Sequence, residues 1–274
     1  MSFRYLNVCT HLILLGLSFS CLPRNEKSTV PKDELMLAGH WCPADLVNDI
    51  PNAVKRRIAR ATSNPRKPVR LLIPVGGAGA QKKFVATLIG ACAPLVEQNK
   101  VQLFLNAGDH AHMKDAFVNV LDQHQLKFDT VSDMKAMQAF KNNLLDGKTE
   151  PSKNVTLFAY DDYFTAVATT DILCNVADVL TCKPSELAFY PIPKLMIRRV
   201  GDHEAYSAIR ASEIGDGTLE AREIQDAMRY IELFLNTPEL LIEFNKAVEK
   251  NHSIGIYDGC KNAVRIALER ANAS

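Results

Sequence analysis

Gly76, Gly77, Ala78 and Gly79 stand between an apolar run (Leu71, Leu72, Ile73, Val75) and an amphipathic run that begins at Ala80. This pattern reads as a buried strand, a glycine-rich turn and the start of a helix. Glycines let the backbone approach a ligand closely, and a helix start aims free N–H groups and partial positive charge at it. The chemistry such a loop supports is phosphate or diphosphate binding. A glycine-rich turn alone is a weak signal, because tight strand–helix packing calls for the same residues.

Polar residues recur where other apolar runs stop, at 106–110, 183–186 and 201–204. A nucleoside diphosphate-sugar needs N–H groups for its phosphates and carboxylates for the hydroxyls of ribose and hexose. The glycine loop can supply the first, and Glu186 and Glu204 the second. Lys183, Ser185 and His203 stand beside those carboxylates. Both glutamates are also ordinary first-turn acids, which a helix dipole favours without any ligand. Asp109, His110 and His112 form another polar cluster. Asp109 with His112 is a weak metal pair lacking a third ligand, and Asp109 reads equally as the N-cap of the next helix. Asp161 and Asp162 read as a further cap. Arg198 and Arg199 fit either a solvated edge or a diphosphate contact. His40, in Ala38-Gly39-His40-Trp41-Cys42-Pro43, is a weak candidate for a base or phosphate contact, with a packed hinge histidine as the other reading.

These residues need a frame. From residue 69 onward strand-like and helix-like stretches alternate: strands at 69–75, 101–106, 127–131, 155–160, 178–181 and 193–198, with helices between them. Ser132 reads as the cap of the helix that runs to Leu145, and 164–176 reads as another helix. Three helices are expected at 219–235, 237–250 and 258–271. The alternation predicts an α/β fold, a Rossmann-like parallel sheet flanked by helices, followed by a C-terminal helical segment. In such sheets ligands bind beyond the carboxyl ends of the strands, where residues 76–79, 106–110, 183–186 and 201–204 fall. The division expected is 1–65 as N-terminal segment and linker, 66–218 as the ligand-binding domain, and 219–274 as helices packed upon it.

Composition narrows the partners. A chain of 274 residues with a formal net charge of +1 gives no electrostatic case for nucleic acid or a membrane surface. Seven scattered cysteines without CxxC spacing argue against a disulfide scaffold or zinc site and favour reduced thiols in a cytoplasmic setting. Residues 1–21 carry Arg4 and a short apolar stretch, which also fits a poor signal or lipoprotein region and hence export or a lipid anchor.

At three places the chain resembles the nucleotide-sugar glycosyltransferases of the GT-B fold, in particular the C-terminal donor-binding half of the lipid II-forming N-acetylglucosaminyltransferase and of diacylglycerol glycosyltransferases. The segment from Val75 to Gln81 resembles their glycine loop. Ala177-Asp178-Val179-Leu180-Thr181-Cys182-Lys183-Pro184-Ser185-Glu186 resembles their aspartate, short strand and Thr-Lys-Pro-Gly segment, with Glu186 seven residues before Pro193. Gly201-Asp202-His203-Glu204, then Ser207, resembles their Gly-Gln-Glu-x-x-Asn. The resemblance covers roughly residues 66–235 and implies a UDP-sugar as donor substrate. Diphosphate would be bound by Gly76, Gly77, Ala78 and Gly79, ribose by Glu186 and hexose by His203 and Glu204. The Pro-Gly-Gly-x-Thr loop of the family is compressed here to Pro184-Ser185-Glu186, and His203 and Ser207 replace glutamine and asparagine. No metal or separate cofactor is expected. About 65 residues precede the glycine loop, so the resemblance implies a truncated acceptor domain and a partner chain that supplies it, through which any membrane contact would come. A non-catalytic nucleotide-sugar-binding subunit and a UDP-sugar epimerase-like protein are the alternatives.

Overall fold

The computed structural model describes residues 38–75, 81–147 and 150–272. Residues 1–21 and the glycines at 76, 77 and 79, with Ala78, lie outside the described residues. Two helices, α1 (Ala44–Asn48) and α2 (Ile50–Ala61), precede the first strand. Then follow β1 (Val69–Pro74), α3 (Lys82–Glu97), β2 (Val101–Gly108), α4 (Ala111–Gln123), β3 (Asp129–Val131), α5 (Met134–Leu145) and β4 (Val155–Ala159). After these come α6 (Tyr163–Leu173), β5 (Val179–Cys182), β6 (Lys194–Met196), α7 (Ala205–Glu213), α8 (Ile224–Asn236), α9 (Pro238–Ser253) and α10 (Gly259–Asn272). Short 3-10 turns at Glu186–Phe189 and Asp202–Glu204 flank β6.

The six strands form one parallel sheet in the order β3-β4-β2-β1-β5-β6. This is the expected Rossmann-like α/β sheet flanked by helices, with helices at the C-terminus. Both faces are covered, which is why the strand centres at 71–73 and 103–105 read as apolar runs. In β1 the side chains alternate: Leu71 and Ile73 enter a core with Leu88 of α3, Phe117 of α4 and Phe234 of α8. Leu72 faces the other way, into a core with Met137 of α5, Leu173 of α6 and Ala211 of α7. Leu103, Leu105 and Phe104 of β2 repeat that alternation. Among the described residues no helix is long and apolar enough to cross a membrane.

Several boundaries differ from the expected ones for local reasons. Asp133, not Ser132, caps α5: its carboxylate accepts from the Ala136 N–H at 2.8 Å. The cap expected at Asp161 and Asp162 is met by Asp162, whose carboxylate accepts from the Thr165 N–H at 2.7 Å at the start of α6. His110 rather than Asp109 holds the N-cap position of α4, without a side-chain bond. Helix α8 begins at Ile224, five residues later than expected, because 217–221 run beside β6. There Ala221 N–H donates to the Met196 carbonyl at 2.8 Å and the Thr218 hydroxyl accepts from Met196 N–H at 3.0 Å. Helices α1 and α2 carry no counterpart in the expected elements. Helix α2 packs on α9, and Ile50, Val54, Val248 and Tyr257 close a third small core with Cys42.

At the start of β6 a charged pair is wholly enclosed. Lys194 and Asp216 are both 0% exposed, with Nζ and Oδ1 2.7 Å apart. The ammonium also donates to the carbonyls of Tyr190 at 2.8 Å and Ile192 at 3.1 Å. Tyr257 donates its phenolic O–H to Asp216 Oδ2 at 2.6 Å. Buried ions persist only when paired and hydrogen-bonded, and this set ties β6, the loop after α7 and the turn before α10 together.

Candidate functional site

Strand β1 has β2 on one side and β5 on the other. The chain leaves β1 toward β2 and leaves β5 toward β6, so the strand order reverses between β1 and β5. A crevice opens beyond the carboxyl ends at such a reversal. The glycine loop follows β1 at this point in the chain. Its far end is Gln81, in the left-handed region at φ 72° and at the N-cap of α3. The Gln81 side-chain amide donates to the carbonyl of Arg198, beyond β6. The segments after β1 and β6 are thereby tied across the mouth of the crevice.

Lys183 follows β5 directly, and its ammonium pairs with Glu204 Oε1. The other oxygen of Glu204 accepts from the N–H of Val200 at 2.7 Å and of Gly201 at 3.5 Å. Burial alone would raise the Glu204 pKa, yet the Lys183 and Val200 hydrogen bonds outweigh it and hold the carboxyl below its usual range. Glu204 is thus an ionised, buried anchor that fixes the Lys183 ammonium at the crevice. Its engagement differs from that of a free sugar ligand: a hexose hydroxyl would meet a carboxylate already shared by a cation and the backbone.

Glu186 lies exposed in the 3-10 turn after Lys183, with no hydrogen bond or ion pair among the described residues. Ser185 stands at the N-cap of that turn and makes no side-chain cap bond. His203 lies in the turn Asp202–Glu204. The two arginines after β6 divide. Arg199 is tied down by Glu220 at 2.9 Å and Asp202 at 3.0 Å, whereas Arg198 is exposed and makes no ion pair among the described residues. Arg198 is therefore a free cation at the rim, which its dibasic sequence could not distinguish from its neighbour.

The polar end of β2 serves the fold. Asn106 accepts from Gly108 N–H at 3.0 Å and donates to Ala166 O at 3.1 Å and Thr170 Oγ1 at 2.9 Å. These bonds stabilise a register shift where Gly108 adopts φ +66°. Asp109 faces His110 at 3.7 Å, and the rings of His110 and His112 are 5.6 Å apart. Among the described residues no three His, Cys, Asp or Glu side chains gather as metal ligands do.

His40 lies elsewhere, beside the amino end of β6, opposite the crevice. Its ring packs edge-on against Phe189 at 5.0 Å and Tyr257 at 5.7 Å. Its backbone N–H donates to Ile256 O at 2.6 Å and its carbonyl accepts from Gly259 N–H at 2.9 Å. A Cβ on Gly259 would come within 2.4 Å of that carbonyl, so glycine is required there. Burial first, then the charges of Lys194 and Arg210, lower the His40 pKa to about 3. The buried imidazole stays neutral, while the unfolded chain protonates near its ordinary value of 6.5. The stability contribution is complete above about pH 6.5 and is lost progressively as pH falls toward 3. Between pH 7 and pH 5 the protein should lose about 2 kcal/mol that His40→Phe does not lose. Urea unfolding of both proteins at the two pH values measures it, and identical losses would refute the assignment.

Residues 30–268 match the family described as Domain of unknown function (DUF6938). The chain belongs to that family. No curated protein matches it in sequence. Among solved structures it is similar to WaaG, a glycosyltransferase involved in lipopolysaccharide biosynthesis. That likeness has a TM-score of 0.51 at 14% identity and covers 85% of this chain and 56% of that one. It is also similar to the UDP-GlcNAc 2-epimerase from Neisseria meningitidis bound to UDP-GlcNAc (TM-score 0.47, 12% identity, 88% and 56% covered). A third is Acinetobacter baumannii MurG (TM-score 0.43, 13% identity, 71% and 48% covered). The chain spans about half the length of these structures. The resemblance to GT-B glycosyltransferases read from the motifs is met in the fold, through the likeness to WaaG.

Proposed function

We propose that this chain binds a UDP-sugar at the carboxyl ends of β1, β5 and β6, as the donor half of a glycosyltransferase that transfers a hexose. The observation that carries this reading is the Lys183 ammonium, held by buried Glu204 at the strand reversal, three residues before an exposed and unpartnered Glu186. A diphosphate in the crevice would be met by the N–H groups of Gly76, Gly77, Ala78 and Gly79, by Lys183 and by the free guanidinium of Arg198. As the sugar leaves, negative charge grows on that diphosphate. Donors already fixed around it stabilise the charge most. Glu186 would accept the ribose hydroxyls, and Ser185 and His203 would line the path to the hexose. Glu204 acts in this scheme by positioning Lys183. The acceptor pocket and the base that activates the acceptor would come from a partner chain or domain.

Glu186→Gln separates a ribose ligand from a helix-start acid. A ribose ligand predicts UDP binding weakened by about 1.5–3 kcal/mol, the range for hydrogen bonds to charged groups, with stability unchanged. A dipole partner predicts unchanged affinity and about 0.3–1 kcal/mol of lost stability. Calorimetry and urea unfolding of the same variant read both quantities.

A further inference from the structure

On the amino-terminal edge of the sheet, away from the crevice, a second pocket opens between α2, the start of β1 and the approach to β5. Arg57, Arg60, Lys67 and Arg70 line it together with two carboxylates, Glu150 and Asp178. Arg56 at its rim is matched by Asp49, so the pocket keeps two more positive charges than negative ones among its described residues.

The distribution of partners is uneven. Arg60 binds both oxygens of Asp178 at 3.1 Å. Glu150 alone is shared by Arg70 at 2.7 Å, Lys67 at 3.2 Å and Arg60 at 3.7 Å. Arg57 is 4% exposed and has no carboxylate partner among the described residues. Its Nε donates to Ala177 O at 3.0 Å and one Nη to Cys174 O at 2.6 Å, while the other Nη is buried without an acceptor. The carbonyls at the end of α6 offer only a partial charge. An enclosed guanidinium with no bonded carboxylate is costly. Burial brings its pKa down to about 10, outweighing Asp178 and Asp49, which favour its charge from a distance without bonding it.

We infer that this pocket binds a phosphate dianion, free or carried as a monoester on a small molecule. The dianion's two negative charges offset most of the excess of three that is left once Glu150 moves out of the pocket. The donors within reach are one Nη each of Arg57, Arg60 and Arg70 and the Lys67 ammonium, all charged donors suited to phosphate oxygens. The other nitrogens of Arg60 and Arg70 are held by Asp178, Gln102 and the carbonyls of Pro68 and Val176. Glu150, whose side chain is 43% exposed, marks the place: its carboxylate occupies the donors of Arg60, Lys67 and Arg70, and the phosphate takes them over as Glu150 swings outward. The site is independent of the nucleotide crevice, which lies at the opposite ends of the same strands.

The test is a titration of the full chain with inorganic phosphate and with glycerol 3-phosphate, read by calorimetry and by the NMR signals of the arginine Nε–H groups. Signals of Arg57, Arg60 and Arg70 should move together. Stronger binding of glycerol 3-phosphate would mark an esterified ligand, and equal or weaker binding a free one. Two side chains that are 43% exposed provide variants in opposite directions. Glu150→Gln removes the competing carboxylate and should tighten binding about fivefold, and Lys67→Gln should weaken it about fivefold. Lys183→Met, in the nucleotide crevice, should leave phosphate affinity here unchanged. Unmoved arginine signals, an unchanged affinity in either pocket variant, or loss of phosphate binding in Lys183→Met would overturn the inference.

Discussion

Asp216→Asn should destabilise the protein by about 3–5 kcal/mol, the range for breaking a buried ion pair by removing one partner. The substitution keeps the shape of the side chain and removes its charge. The Lys194 ammonium, 0% exposed, would then face only the carbonyls of Tyr190 and Ile192. Tyr257 would exchange a carboxylate acceptor for an amide. Because the damage is an uncompensated charge, adding Lys194→Met should restore a large part of the loss, and the two substitutions should be strongly non-additive. Midpoints of urea unfolding for the two single variants and the double variant measure this. A loss below about 1 kcal/mol in Asp216→Asn, or simple additivity, would show that the pair does not bear on stability in this way.

The second large effect concerns Lys183. Lys183→Met should weaken UDP and any UDP-sugar alike by about 1.5–3 kcal/mol, because the lost donor is charged and serves the diphosphate common to both. Glu204→Gln should follow the same pattern with a smaller loss. The resemblance to the glycosyltransferases makes Glu204 a sugar ligand, and a sugar ligand would weaken the UDP-sugar while sparing UDP. Its contacts with Lys183, Val200 and Gly201 argue for positioning. The two roles therefore differ in one comparison: the ratio of UDP to UDP-sugar affinity in Glu204→Gln. A ratio equal to that of the unaltered protein supports positioning, and a shifted ratio returns the residue to the sugar.

Much of the frame was legible because a parallel sheet buried on both faces leaves a plain mark. Leu71 to Ile73 and Leu103 to Leu105 are fully or almost fully enclosed, so their runs carry no polar interruption and could not be solvent-facing helices. The N-terminal helices were hidden for the opposite reason. Helix α2 is rich in arginine, yet Arg57 and Arg60 point inward to the carbonyl of Ala177 and the carboxylate of Asp178. Polarity there reports tertiary hydrogen bonding, which no local period reveals. A usable signal was present in Asn48-Asp49-Ile50-Pro51, since proline belongs in the first turn of a helix. The stretch 217–221 misled in the other direction: its residues are compatible with a helix, and pairing with β6 alone makes them extended.

Within the site, position along the chain was easier to read than partnership. The polar residues at 183–186 and 201–204 do fall beyond strand ends. That Lys183 would meet Glu204, or that Arg199 rather than Arg198 would be tied down, depends on how the segments after β5 and β6 cross. His40 and Asn106 were ambiguous as letters because both are polar. The aromatic enclosure of one and the fully used amide of the other are products of packing.

The most direct test of the nucleotide-sugar reading is isothermal titration of the full chain with UDP, UDP-glucose, UDP-galactose and UDP-N-acetylglucosamine. The account predicts saturable binding of UDP at one site and of at least one UDP-sugar at that same site, so that the sugar nucleotide no longer gives heat once UDP is saturating. Gly77→Val should abolish both, since a side chain would stand where the diphosphate must approach the backbone. Absence of heat and of thermal stabilisation with all four ligands at millimolar concentration would contradict the account.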